Sequence, residues 1–231
     1  MNYIIWNDKD SRDINGLTIC ELPPITKPQM RATETVVDGV DGSIIEELGY
    51  ESYDKTIIVV LKVGANVDEI LEYFTGSGEI VFSNEPDKYY RARILKSIDY
   101  ERMLRFRTAK ITFRVQPFKY DYEELEILGN INGRSLAVNN IGNYPAKPLI
   151  TIEGAGTVEL SVNGTVICRY VFTDGEDTVI LDSEKQDAYL GGVLKNRNMV
   201  GEFPIIEKGA NVITWSGTVK RISINRYSRW L

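Results

Sequence analysis

Along most of the chain, apolar residues recur at every second position, the period of a β-strand rather than a helix. The clearest run is residues 107–115, RTAKITFRV, with Ala109, Ile111, Phe113 and Val115 on one side and Thr108, Lys110, Thr112 and Arg114 on the other. That alternation predicts a half-buried antiparallel strand. Its expected partners are residues 89–98, joined to it by a polar turn around 99–102, and the run at 57–61, IIVVL, which reads as buried on both faces. One segment changes period. Asn66 can cap, Glu69 follows three residues on, and Val67, Ile70, Leu71 and Phe74 form an i, i+3, i+4, i+7 stripe, so 66–75 is expected to be helical and to end at Gly76. A single amphipathic helix in a strand-rich stretch most simply covers a sheet face, giving an α+β module.

Residues 119–134, KYDYEELEILGNINGR, are charged and then turn-rich. They are expected to be a linker between an N-terminal domain, 1–118, and a C-terminal domain, 135–231. Beyond the linker, Val158, Leu160 and Val162 alternate inward, Asn163-Gly164 supplies a two-residue hairpin turn, and 165–172 returns. A second hairpin, 212–215 with 218–224, is expected to turn at Ser216-Gly217. The predicted class is therefore mainly β with two domains: a β-rich α+β module with one short helix, then an all-β sandwich or jelly roll.

Composition narrows the chemistry. With 231 residues and 43% apolar content, the chain can bury a core, and a net charge of −6 disfavours nonspecific nucleic-acid binding. There is no apolar run of membrane-spanning length, and the charged start, MNYIIWNDKDSRD, does not read as a signal peptide, so synthesis and folding in the cytosol are expected. Histidine is absent, which removes Ser-His-Asp and Cys-His nucleophiles and His-containing zinc sites. The two cysteines, Cys20 and Cys168, sit among apolar residues and read as buried free thiols; two thiolates are too few for an all-cysteine zinc site within one chain. Carboxylate pairs such as Glu46-Glu47 and Glu123-Glu124 are expected on solvated faces in a chain with 33 acidic residues. No catalytic residue, cofactor site or metal site is assigned.

The stretch 36–45, VVDGVDGSII, carries two Asp-Gly pairs between apolar runs. A turn would need one pair, and the carboxylate spacing and closing Glu of an EF-hand loop are missing. Local chemistry leaves a turn, a ligand loop and a contact point open. Among the aromatics of the second half, Tyr170, Tyr189, Trp215, Tyr227 and Trp230, ordinary core and edge positions compete with sugar stacking, for which Tyr189 and Trp215 are the candidates.

The order of these features resembles the distal tail proteins of long-tailed bacteriophages, the Dit or phage tail component family. The resemblance runs through Gly39-Val40-Asp41-Gly42-Ser43, the apolar strand 57–61, the short helix followed by SGEIVF at 77–82, then PDKYYRAR at 86–93 and FRVQPFKY at 113–120. It covers most of the first 120 residues; the second half is similar in outline only, through Gly-Asn turns, a strand ending near Asp182 and the terminus RYSRWL. The resemblance implies a ring-forming N-terminal domain, a galectin-like sandwich behind it, and a homohexamer, singly or as two stacked rings. It places the ring at the virion tail tip, between the tail tube protein and a tail-associated lysin or tail-tip hub, after assembly in the host bacterial cytoplasm. It also makes Val37, Asp38, Gly39, Val40, Asp41, Gly42 and Ser43 an oligomer contact built on a turn, because edge strands with unpaired backbone groups are satisfied in a closed head-to-tail ring.

Two other functions compete. A carbohydrate-binding module or adhesin would use the sandwich and its aromatics, and a glycosidase would need an Asp/Glu pair across a cleft. The structural tail-ring reading ranks first, with no enzymatic activity, no nucleic-acid specificity and no membrane insertion.

Overall fold

The computed structural model describes residues 1–39, 41–99, 105–173 and 175–231. They form two compact units, Met1–Tyr122 and Glu123–Trp230. The fold is β-rich throughout, and no helix among the described residues is long and apolar enough to cross a membrane.

The first unit contains β1 (Ile4–Trp6), β2 (Lys9–Asp10), β3 (Leu17–Glu21), β4 (Met30–Thr35), β5 (Ile44–Tyr50), β6 (Tyr53–Leu61), α1 (Val67–Tyr73), β7 (Ser77–Phe82), β8 (Lys88–Ile94) and β9 (Thr108–Asp121). One antiparallel sheet runs β2-β1-β7-β8-β9-β6-β3, while β4 and β5 pair only with each other. Period-two alternation builds the core: Ile57 faces Ile111 and Val59 faces Ala109 across β6 and β9, and all four are buried. Phe113 is fully buried among aromatic rings, its centroid 5.2 Å from Trp6, 6.1 Å from Phe82 and 6.3 Å from Phe74, tilted or edge-on as ring quadrupoles prefer.

The helix forms where its cap and stripe place it. The Asn66 side chain accepts from the backbone N–H groups of Asp68 and Glu69, and Gly76, at φ +86°, follows the helix end. Val67, Ile70 and Phe74 are buried against the sheet core, but Leu71 is only half-buried and Tyr73 takes the fourth deep position. Tyr73 reaches its place with its hydroxyl donating to the Lys9 carbonyl at 3.0 Å, which ties the helix to β2.

Three expectations need correction here. The run at 57–61 is not buried on both faces: Ile58 is half-buried and Val60 is 37% exposed, because β6 keeps strict alternation despite its continuous apolar sequence. The strand expected at 89–98 ends at Ile94, and the turn expected at 99–102 lies largely outside the described residues. Cys20 is exposed on β3 beside a bulge between Ile19 and Glu21; Cys168 alone is buried, its thiol pushed up to about 12 by desolvation.

The second unit contains β10 (Ile127–Leu128), β11 (Ser135–Asn140), β12 (Leu149–Val162), β13 (Thr165–Val171), β14 (Thr178–Asp182), β15 (Asp187–Leu190), β16 (Val193–Leu194), β17 (Met199–Gly201) and β18 (Gly209–Asn225). Its spine is the long antiparallel pair β12–β18. Near one end β12 also pairs β14, and near the other it pairs β13; β18 likewise pairs β10 at one end and β11 at the other. Between the two halves the register shifts, Ala155 facing Thr218 and Glu159 facing Ser216. A bulged ribbon bends, so one pair of strands supplies both layers. Ile150, Ile152, Leu160, Ile213, Ile222 and Ile224 all enter a single buried cluster.

Asn163-Gly164 is the expected tight turn, with φ +50° and +82°, the left-handed pair a type I′ hairpin needs. Ser216-Gly217 is not a turn: β18 passes straight through it. Gly217, at φ +87°, is the bulge glycine, and a Cβ there would lie 2.1 Å from the Thr157 carbonyl oxygen. The stretch expected to be a linker is also structured in part, since β9 reaches Asp121 and Ile127 and Leu128 pair with Ile224 and Ser223 of β18.

Candidate assembly interface

The segment that sequence reasoning singled out lies at the tip of an arm. β4 and β5 form a two-stranded ribbon in which every residue is exposed except Tyr50, and residues 36–39 and 41–43 lie at its far end. An isolated two-stranded hairpin is marginal in water because neither face is covered. This one nonetheless exposes aliphatic side chains: Val36 (72%), Ile44 (64%), Ile45 (63%) and Leu48 (50%). Clustered apolar exposure along β5 and beside it at the tip of an uncovered ribbon is the surface signature of a contact.

At the tip, Gly39 and Gly42 have φ +83° and +88°, and no atom lies within 4 Å of where a Cβ would stand on either. The two Asp-Gly pairs therefore serve backbone direction, not close packing. Ser43 Oγ donates to the Glu34 carboxylate at 2.5 Å, and Arg31 donates to the Leu48 carbonyl at 3.1 Å, so the arm is tied across its own strands. Val37, Asp38, Asp41 and Ser43 sit with these glycines at the tip; Val40 lies outside the described residues. Among the described residues, no three Asp, Glu or Cys side chains converge as a cation would require.

The arm's root is anchored by a part of the site that sequence reasoning did not identify. Residues 22–29, LPPITKPQ, lead into β4; their prolines favour extended backbone and leave carbonyls that need donors. Lys55 Nζ donates to Pro24 O at 2.9 Å, Asn84 Nδ2 to Pro23 O at 3.0 Å, and Tyr53 OH to Thr26 O at 3.4 Å. Lys55 is almost wholly buried, with its ammonium 4.9, 5.6 and 5.7 Å from the ring centres of Tyr90, Tyr53 and Phe82. Burial pulls its pKa down to about 8, against the opposing attraction of Glu85. Glu85 in turn pairs with Lys119 and accepts from Tyr90 OH at 2.8 Å. A signal for Lys55 was present: parity from Ile57, Val59 and Leu61 puts it on the core face of β6.

The two residues proposed for sugar contact fare differently. Trp215 is 5% exposed and packed in the sandwich core, so its ring faces cannot receive a sugar. Tyr189 is half-buried on β15, with Lys185 Nζ 5.8 Å from its ring centre. In the same unit Glu176 ties loops together: its carboxylate accepts from Asn198 Nδ2 at 3.2 Å, pairs with Lys195 and accepts from the Thr173 N–H at 3.1 Å, and the Lys195 and Thr173 contacts hold its pKa down to about 2.

No family model matches the sequence, and no curated protein matches it. Solved structures do match. The crystal structure of SPP1 Dit (gp 19.1), described as a paradigm of the hub adsorption apparatus in Gram-positive-infecting phages, aligns over 100% of both chains at TM-score 0.68 and 14% identity. A chain of the phage P2 baseplate in its activated conformation aligns over 97% of each chain at TM-score 0.51 and 9% identity. With its capped helix α1, its β-rich units and an alignment that leaves no part of either chain over, this protein has the fold of a phage distal tail protein.

Proposed function

We propose that this protein is a structural component of a phage or prophage tail tip, assembling as a homohexameric ring that joins the tail tube protein to a tail-associated lysin or tail-tip hub. The observation that carries this reading is the end-to-end fold likeness to SPP1 Dit. The exposed β4–β5 arm supports it physically, because an uncovered ribbon with exposed aliphatic side chains along β5 is stabilised by a neighbour. Residues 1–118 carry the ring contacts, with the tip residues from Val37 to Ser43 part of them, and residues from about 135 fold as a separate, galectin-like sandwich. A head-to-tail interface of this kind closes only in a ring, which fits a tail's axial symmetry. The role is assembly, without catalysis, in the virion after synthesis in the host cytoplasm.

Light scattering of the purified chain together with negative-stain microscopy tests the reading. Six-fold rings are expected. A chain that stays monomeric at every concentration, alone and with tail-tube protein, refutes it. The sugar-binding alternative loses its main aromatic with Trp215 buried, so no second reading is advanced.

A further inference from the structure

The outer face of the first unit's sheet carries a cleft of about 620 Å³ over β7, β8 and β9, lined in part by Arg91, Arg93 and Arg114, and running into a neighbouring hollow of about 360 Å³ that shares Leu95 and Arg114 and adds Lys96. Four cations there face two acids, Glu79 and Asp54, on a chain whose net charge is −6. Asp54 is already occupied, by Lys96 Nζ at 2.6 Å and Arg114 at 3.2 Å. Arg93 is exposed and has no ion-pair partner among the described residues, while Leu95, 67% exposed, gives the cleft an apolar floor. The site suits an acidic ligand with aliphatic side chains.

The arm has that chemistry. From Met30 to Tyr50 one basic residue, Arg31, stands against five acidic ones, Glu34, Asp38, Asp41, Glu46 and Glu47, interleaved with exposed Ile44, Ile45 and Leu48. We propose that the cleft receives the acidic β4–β5 arm of a second copy of this chain, its β5 edge foremost, so that the carboxylates of Glu46 and Glu47 on either side of the strand come near Arg93 and Lys96. A copy's own arm is a poor occupant. Its pairing runs down to the root, Met30 opposite Tyr50 and the Glu51 N–H donating to Gln29 O at 2.9 Å, and Ser52, the next residue, already lines the cleft. A hairpin paired to within one residue of the cleft has no hinge with which to fold back. Each arm instead leaves from beside its own cleft, the arrangement that passes every arm to the next copy and closes a cycle.

This inference rests on the ring reading and names the acceptor surface that reading leaves open. The test measures the mass and dissociation concentration of four full-length proteins: wild type, E46K/E47K, R93E/K96E and the combined quadruple variant. Each double variant places like charges together and is expected to weaken assembly by roughly tenfold or more, more steeply at low salt, and the quadruple variant to recover most of the loss. The four positions are exposed, so melting temperatures serve as the fold control; should R93E/K96E not fold, R93A, which introduces no repulsion, is expected to weaken assembly by a smaller factor. If either reversal, or R93A in its place, leaves assembly unchanged, or if the quadruple variant recovers nothing, the arm docks elsewhere and the inference falls while the ring stands. A wild-type chain that never assembles overturns both.

Discussion

The molecule contains two antiparallel ribbons that share a plan and differ in what covers them. The β4–β5 arm and the β12–β18 spine are both two strands joined by a full backbone ladder, and both contain a register shift. In the spine alternate side chains are buried on either side of the bulge in β12, Ile222 to Ile224 of β18 are buried together, and further strands flank both edges. In the arm no strand among the described residues flanks either edge, and nearly every side chain is exposed. Ladder hydrogen bonds are therefore common to both and cannot be what separates a core element from a protruding one. Burial separates them.

The two ribbons differ most in what surrounds their glycines. Gly217 in the spine and Gly42 in the arm share a φ near +87°, yet a Cβ would lie 2.1 Å from a carbonyl oxygen at Gly217 and meet nothing within 4 Å at Gly42. Gly217→Val should cost about 2 to 6 kcal/mol, backbone strain plus overpacking, and Gly42→Val about 1 to 3 kcal/mol from strain alone. Urea unfolding of the two variants checks this; equal losses would mean that packing around the bulge is not what fixes it.

Next in size is the loss of a covered against an uncovered side chain. Leu160, 1% exposed, should cost about 2 to 5 kcal/mol when cut to alanine. Ile45→Ala should change the monomer by no more than about 0.5 kcal/mol, while measurably weakening assembly. A loss of folding stability at Ile45 comparable to that at Leu160 would show the arm packing within its own subunit.

What the sequence made legible, and what it hid, divides along the same line. Strand β9, the capped helix and the Asn163-Gly164 turn were readable because parity, a cap and a type I′ pair are local signals. Ser216-Gly217 misled because the same dipeptide serves a turn and a bulge, and only the partner strand, with Gly154 to Thr157 opposite, decides between them. Trp215 offered an aromatic ring without saying which sheet face it occupied, and that face was set by the bulge beside it. The Asp-Gly pairs at 38–39 and 41–42 signalled a change of chain direction, but their height above the sheet depends on the length of β4 and β5, which exposed, weakly patterned side chains do not encode. Lys55 was missed for the opposite reason: a charged residue at a core parity position is read as an exception until its carbonyl and ring partners are seen.

The smallest expected effect distinguishes the arm's root from the sandwich by pH. Lys55, at about 8, is depressed below its ordinary 10.5 because burial penalises its charge. Below pH 8 that cost is fully present in the folded chain. Between pH 8 and 10.5 the folded chain has released a proton that the unfolded chain still holds, so stability rises with pH across this window. Glu85 and Lys119 are the charged neighbours of Lys55, and Tyr53 is held up at about 12, so ionisation of Tyr53 follows only at higher pH. In the second unit the sign reverses at acid pH. Glu176, held at about 2 chiefly by its Lys195 hydrogen bond, contributes stability that is present above pH 4.5 and lost as pH falls toward 2. Hydrogen exchange resolved by segment, from pH 3 to 10, should therefore show Lys55→Met flattening the alkaline rise in residues 22–61 alone, and Glu176→Gln flattening the acid loss in residues 170–198 alone. A neutral lysine can still donate to Pro24 O, so the wild-type arm should keep its anchor through the alkaline rise. Release of residues 22–29 above pH 8 would show instead that the ammonium charge, and not the hydrogen bond, holds the arm to the sheet.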